Sequence, residues 1–183
     1  MPSIIPRIHP LPNGGDLVIR EATREDAAAL LPHVEAVSGE SPFLTFGPGE
    51  FELTVNQEVD FLAKSEATAN ALYLVGLVEG EIVASSGTMG SARARLMHRV
   101  ELGMSVRQAY WRQGIGAALL DAIIDWARAN PVVTKLDLQV ATTNAGAVAL
   151  YLKKGFHKEG ALRKQMMVDD VAQDLFHMGL DVE

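Results

Sequence analysis

Between Tyr110 and Ala127 the chain reads YWRQGIGAALLDAIIDWA, with Gly114 and Gly116 placed just ahead of an apolar stripe at helical spacing. Ile115, Ala118, Leu119, Ala122, Ile123 and Trp126 share one helical face, so that face must be buried. Extended apolar runs flank the helix, VELGMSV before it (100–106) and TKLDLQV after it (134–140), and Asn130-Pro131 ends it. Strand, glycine turn, helix and strand in that order commit the chain to helices packed on a sheet.

The two glycines invite a chemical reading. In a helix each costs roughly 0.5–1 kcal/mol relative to alanine. A helix N-terminus carries unpaired N–H groups and a partial positive charge, and glycine leaves those amides bare to an anion. The alternative is a glycine start that only packs closely on the sheet. Two phosphate-binding strings fail. There is no G-x-x-x-x-G-K-[ST]. A dinucleotide G-x-G-x-x-G breaks at Leu119, and several residues separate Val106 from Gly114.

The rest of the chain fills in around this unit. Residues 1–15 hold four of the eight prolines and read as an irregular arm, without the apolar core of a signal peptide. DLVIREAT (16–23) is a strand. Thr23 and Asp26 start a helix that Gly39 would stop, and TVNQEVDFLAKSEA (54–67) forms a second. Between them Phe43, Phe46 and Phe51 either wall a binding site or pack a surface loop. ALYLVGLVE and EIVASSGTMGS meet in a hairpin at Glu79-Gly80. Apolar and polar residues alternate from Leu96 to Val106, which reads as a third strand with His98 on its apolar side. NAGAVALYLKKG (144–155) is a helix closed by Gly155, and two strands follow. The expectation is one α/β domain over residues 16–183, a mixed central β-sheet of about seven strands flanked by about four helices.

Composition narrows the function. Of 183 residues, 48% are hydrophobic, and no cysteine is available for disulfides or thiolate metal sites. A net charge of −7 argues against a nucleic-acid partner and suits a cationic substrate. No apolar run reaches the roughly 18–20 residues of a membrane span, so no membrane partner is expected and the cytoplasm is the default location. The five histidines show no close ligand spacing, and no metal is expected. Arg93, Arg95 and Arg99 read as a solvated rim.

VELGMSVRQAYWRQGIGAALL, followed by LDLQVATTNAGAVALYLKKGF, resembles the GCN5-related N-acetyltransferase (GNAT) superfamily. Gly114 and Gly116 fill the glycine positions of its [Q/R]-x-x-G-x-[G/A] signature. Trp111 stands at the first position, with Arg112 beside it to supply charge. The resemblance implies acetyl-CoA as co-substrate, its pyrophosphate held by the amides of Arg112, Gln113, Gly114, Ile115, Gly116 and Ala117. It implies that the backbone of Met104, Ser105 and Val106 pairs with the pantetheine, and that Asn144 hydrogen-bonds the cofactor. Tyr151, two helical turns beyond Asn144, would face the sulfur as acid; otherwise it is a core tyrosine. Glu101, on the opposite strand face from Val100 and Leu102, would be the base, directly or through water; otherwise it is a solvated glutamate. The reaction implied is direct attack by a primary amine in a ternary complex. The acceptor is a small-molecule amine or a protein N-terminus of the ribosomal-protein type. A coenzyme-binding sensor without turnover is the alternative outside enzymes. Members of that family often dimerise, so a homodimer is compatible.

Overall fold

The computed structural model describes residues 4–182. Eight strands form one sheet: β1 (Arg7–Pro10), β2 (Asp16–Glu21), β3 (Ala71–Val78), β4 (Glu81–Gly90), β5 (Arg99–Val106), β6 (Lys135–Ala141), β7 (His157–Val168) and β8 (Val171–Asp181). Their spatial order is β1-β2-β3-β4-β5-β6-β8-β7. Four α-helices accompany them: α1 (Ala27–Glu40), α2 (Val55–Ala67), α3 (Ile115–Ala129) and α4 (Ala145–Lys153).

The eighth strand corrects the reading of residues 1–15 as irregular. Arg7–Pro10 pairs antiparallel with Asp16–Ile19 at the sheet edge. An edge strand tolerates proline because its outward N–H groups need no partner. Residues 1–3 of that arm lie outside the described residues. A second correction concerns Leu96 to His98. The strand begins only at Arg99; the preceding residues turn through solvent, and His98 is exposed instead of in the core. The alternation there belongs to a connection rich in arginine, which gains nothing by burial. The first helix also runs through Gly39 to Glu40 before Ser41 leaves helical geometry.

Local signals explain the helix starts. Thr23 and Asp26 form a capping box on the short 3-10 turn ahead of α1, and Arg20 grips Asp26 with two bonds of 2.7 and 2.8 Å. The Thr54 hydroxyl accepts from the Gln57 N–H, while Gln57 accepts from the Thr54 N–H at 2.9 Å. Such caps each stabilise by about 1 kcal/mol.

The sheet buries both faces over its first strands. On one face Leu119, Ile123 and Trp126 of α3 pack with Leu17, Leu74, Val100, Leu136 and Leu138. On the other, Leu30 of α1 and Leu62 of α2 pack with Val75 and Ile82. Burial of each such side chain contributes about 1.5–3 kcal/mol. Across β6, β8 and β7 the second face carries charged residues, and β7 is exposed almost throughout.

Candidate active site

The site begins where two strands part. β5 is antiparallel to β4 along its whole length, from Gly90↔Val100 to Ala84↔Val106. Its other neighbour, β6, runs parallel and pairs with it only at Arg99↔Lys135, Val100↔Leu136 and Glu101↔Asp137. Beyond Glu101 the edge of β5 facing β6 has no strand partner among the described residues. Met104, Ser105 and Val106 lie on that free edge, half-buried. An unpaired strand edge is a template for an extended amide-bearing ligand.

At the far end of the edge the chain turns into α3. Gly114 is the N-cap, with φ +86°. Among the described residues no side chain caps this terminus, and no acidic residue sits in its first turn, which leaves the amides of Ile115, Gly116 and Ala117 uncapped. The first intrahelical bond is Ala118 N–H to the Gly114 carbonyl, 3.0 Å. Arg112 also takes a left-handed backbone, φ +61°. Trp111 ties the turn to β5, its indole N–H donating to the Val106 carbonyl at 2.7 Å. Gln113 donates to the Ala109 carbonyl at 3.1 Å.

The Asn144 side chain is partly engaged already. Its Oδ1 caps α4 by accepting from the Ala147 N–H at 3.2 Å, which leaves Nδ2 for a ligand. Tyr151 is buried on the α3 side of the sheet, its ring 5.8 Å from Phe156. Burial pushes its phenol up to about 12. Glu101 is exposed and alternates with buried Val100 and Leu102, so it points to the opposite face. Tyr151 and Glu101 therefore lie on opposite faces of the sheet.

Several residues gather here that sequence spacing did not reveal. Asp137 is only 2% exposed, and neither oxygen has a hydrogen bond among the described residues. Arg99, Lys135 and His177 surround it at 3.4 to 3.5 Å. Asp137, Glu159 and His177 come within 4.8 Å of one another, but the Lys135 ammonium stands among them, 2.8 Å from Glu159. That ammonium raises its own proton affinity through Glu159 and holds Glu159 low in return. A second unforeseen group is a hydroxyl chain. Ser85 and Ser105 lie 3.2 Å apart, and Ser105 meets His33 Nε2 at 3.1 Å. Burial, helped by Arg107, drives His33 down to about 4, so it is neutral. One helix and two strands, far apart in the chain, bring these residues together, so no local motif announces them.

A free strand edge that leads to an uncapped helix N-terminus suits a long donor with amides along its length and an anion at its tail. That is the layout of a transferase that takes its group from a nucleotide-tailed carrier. Residues 41–156 match the acetyltransferase (GNAT) family, and the chain belongs to it. A GNAT-family acetyltransferase structure from Streptococcus pneumoniae is 32% identical, covers 91% of this chain and 99% of its own, and superposes with a TM-score of 0.88. The uncharacterized N-acetyltransferase YoaA of Bacillus subtilis is 25% identical across 86% of this chain and 89% of its own. The [ribosomal protein bS18]-alanine N-acetyltransferase of Escherichia coli is 37% identical over 43% of this chain and 53% of its own. A phosphinothricin acetyltransferase from Sinorhizobium meliloti, in complex with acetyl-CoA, shares the fold at 15% identity, with a TM-score of 0.79 over 90% of this chain and 88% of its own. The protein is an acetyl-CoA-dependent N-acetyltransferase. Its own residues fit that donor: bare amides at α3 and an unpaired edge on β5. Among the described residues, no helix is long and apolar enough to cross a membrane.

Proposed function

We propose that this chain transfers acetyl to a primary amine by direct attack, with donor and acceptor bound together. The observation that carries the reading is the seam beyond Glu101↔Asp137, where the pairing of β5 with β6 ends. Acetyl-CoA supplies an activated acyl carbon. In this reading the amides of residues 112–117 hold its pyrophosphate, Met104 to Val106 align the pantetheine, and Asn144 donates through Nδ2. Holding two reactants in line accounts for much of the rate without a covalent intermediate.

Glu101 takes a proton from the attacking nitrogen, directly or through water, as the N–C bond forms. An exposed carboxylate exchanges that proton with solvent quickly. When the C–S bond breaks, Tyr151 meets the leaving sulfur. A thiol of reference pKa about 8.5 lies roughly 3.5 units below this phenol, near 5 kcal/mol against complete transfer. Tyr151 therefore acts as a hydrogen-bond donor that stabilises the departing sulfur, and the final proton comes to sulfur through it from solvent. Its high pKa keeps the donor protonated at neutral pH.

A protein N-terminus is the second acceptor class. The bS18-alanine relative supports it, as does the long exposed strand β7 of the hairpin on the other side of β6. A thiol-release assay with acetyl-CoA tests the proposal against small amines and short peptides of free N-terminus. Amine-stimulated release supports it. Tight coenzyme binding without stimulation by any acceptor would favour a sensor and defeat it.

A further inference from the structure

A glutamate sits where the core pattern asks for an apolar residue. The buried stripe of α2 is Glu58, Leu62 and Ser65, at i, i+4 and i+7. Leu62 packs against Val75 and Ile82, but Glu58, one turn earlier, is 2% exposed and has no hydrogen bond or ion pair among the described residues. A carboxyl so enclosed, without a partner, opposes folding when charged. Such a group calls for an explanation in function.

Its surroundings give one. Tyr73 of β3 lies opposite Gly87 of β4, and Gly87 lies opposite Gly103 of β5. A Cβ on Gly87 would come 2.9 Å from the Tyr73 ring, so the ring lies flat across that glycine, pointing along the row toward β5. A Cβ on Gly103 would meet nothing within 4 Å; the space above it is open. Gly103 is two residues beyond the last β5–β6 pair, beside the gap. Phe61 of α2 stands edge-on to Tyr73, 5.5 Å between centroids. Burial pushes the Tyr73 phenol up; Ser85 beside it pulls it down, and the nearby Glu58 carboxylate pushes it up again. Burial alone pushes Glu58 up. Tyr73, Gly87 and Gly103 thus form one row across the sheet that ends beside the opening between β5 and β6, and Glu58 lies one helical turn from Phe61 on the helix that covers Tyr73.

We infer that this row floors the acceptor site and that Glu58, with Tyr73, receives the acceptor's ammonium before it reaches the thioester. The inference rests on the proposed transfer to an amine and names the substrate class. The arriving cation becomes the partner that Glu58 lacks in the free protein. Apolar walls from Phe61 and the Tyr73 ring favour an amine on an uncharged body. A carboxylate on the carbon next to the nitrogen would lie close to Glu58 and be repelled. The acceptor class is a primary amine with no adjacent carboxylate, such as an alkylamine, an amino-acid amide or a peptide N-terminus.

The test compares wild type, Glu58→Gln and Gly103→Val in thiol release with alaninamide, phenethylamine and free alanine. Wild type should use alaninamide at least tenfold better than alanine. Glu58→Gln should raise the KM for the amine tenfold or more, leave coenzyme A binding by calorimetry within twofold, and raise Tm because an unpartnered acid is gone. Gly103→Val should raise the amine KM without lowering Tm. A Glu58→Gln enzyme with unchanged amine KM, or with a lowered Tm, overturns the inference, the second result marking Glu58 as structural. Equal use of alanine and alaninamide overturns the substrate class. Wild-type protein without amine-stimulated release would instead defeat the proposed function itself.

Discussion

Replacing Gly114 with alanine separates backbone conformation from contact. Gly114 caps α3 at φ +86°, and an added Cβ would meet nothing within 4 Å. The whole penalty is therefore conformational, about 1–2 kcal/mol for a left-handed alanine. In a domain of this size each kcal/mol moves Tm by roughly 2–4 °C, so the variant should melt about 2–8 °C lower. Gly116→Ala is the control. Its Cβ would rest 3.4 Å from Leu150 and 3.8 Å from Met104, ordinary contact, inside a helix that favours alanine by up to about 1 kcal/mol. Its Tm should hold or rise. Relaxing Gly114→Ala toward negative φ re-aims the amides of residues 115–117. Losing one bond to a charged phosphate oxygen is worth about 1.5–3 kcal/mol. Coenzyme A should bind roughly ten- to a hundredfold more weakly by isothermal titration calorimetry. An unchanged Tm would refute the conformational argument. A lowered Tm with unchanged affinity would refute the role of these amides in gripping the pyrophosphate.

Other perturbations probe the remaining groups. Tyr151→Phe should lower kcat roughly ten- to a hundredfold, the worth of one hydrogen bond to a charged sulfur, with the KM for acetyl-CoA little changed; steady-state kinetics would show whether it does. Because the wild-type phenol titrates near 12, its rate should show no loss from phenol ionisation below about pH 11. His33 is held near 4 when folded, against about 6.5 unfolded, so the unfolded chain takes up a proton first as pH falls. Stability should drop by about 3 kcal/mol from pH 7 to 4 through this group, and urea melts of His33→Gln should lack that component. Lys135→Met removes the ammonium between Asp137 and Glu159. Arg99 and His177 still face Asp137, so the cost falls below that of a wholly abandoned buried charge, about 2–3 kcal/mol by chemical denaturation; an unchanged midpoint would mean those neighbours suffice.

Much of the architecture is legible in residue order. The helical stripe from Ile115 to Trp126, the Glu79-Gly80 turn and the caps at Thr23 and Thr54 are local patterns, and each element formed where its pattern stood. Misreadings fell where local pattern meets long-range pairing. Arg7–Pro10 carries no strand signal of its own and is a strand because β2 offers it an edge. Leu96 and His98 alternate like a strand, yet the chain turns there, the Arg99 N–H bonding back to the Leu96 carbonyl, and joins the sheet only from Arg99.

For the site, residues within one turn or one strand are readable: the Gly114 turn, and Asn144 with Tyr151 on one helix. Chemistry that depends on strand order is not. Glu101 faces Asp137 across a parallel pair whose halves are 36 residues apart, and Phe61 meets Tyr73 only because α2 folds back over β3. Periodicity and propensity act over a few residues, so the sequence alone determines which segments become helices and strands and which face each buries. Where β5 and β6 part, and which carboxyl is left buried without a partner, is decided by packing among segments far apart in the chain, which only the folded structure specifies.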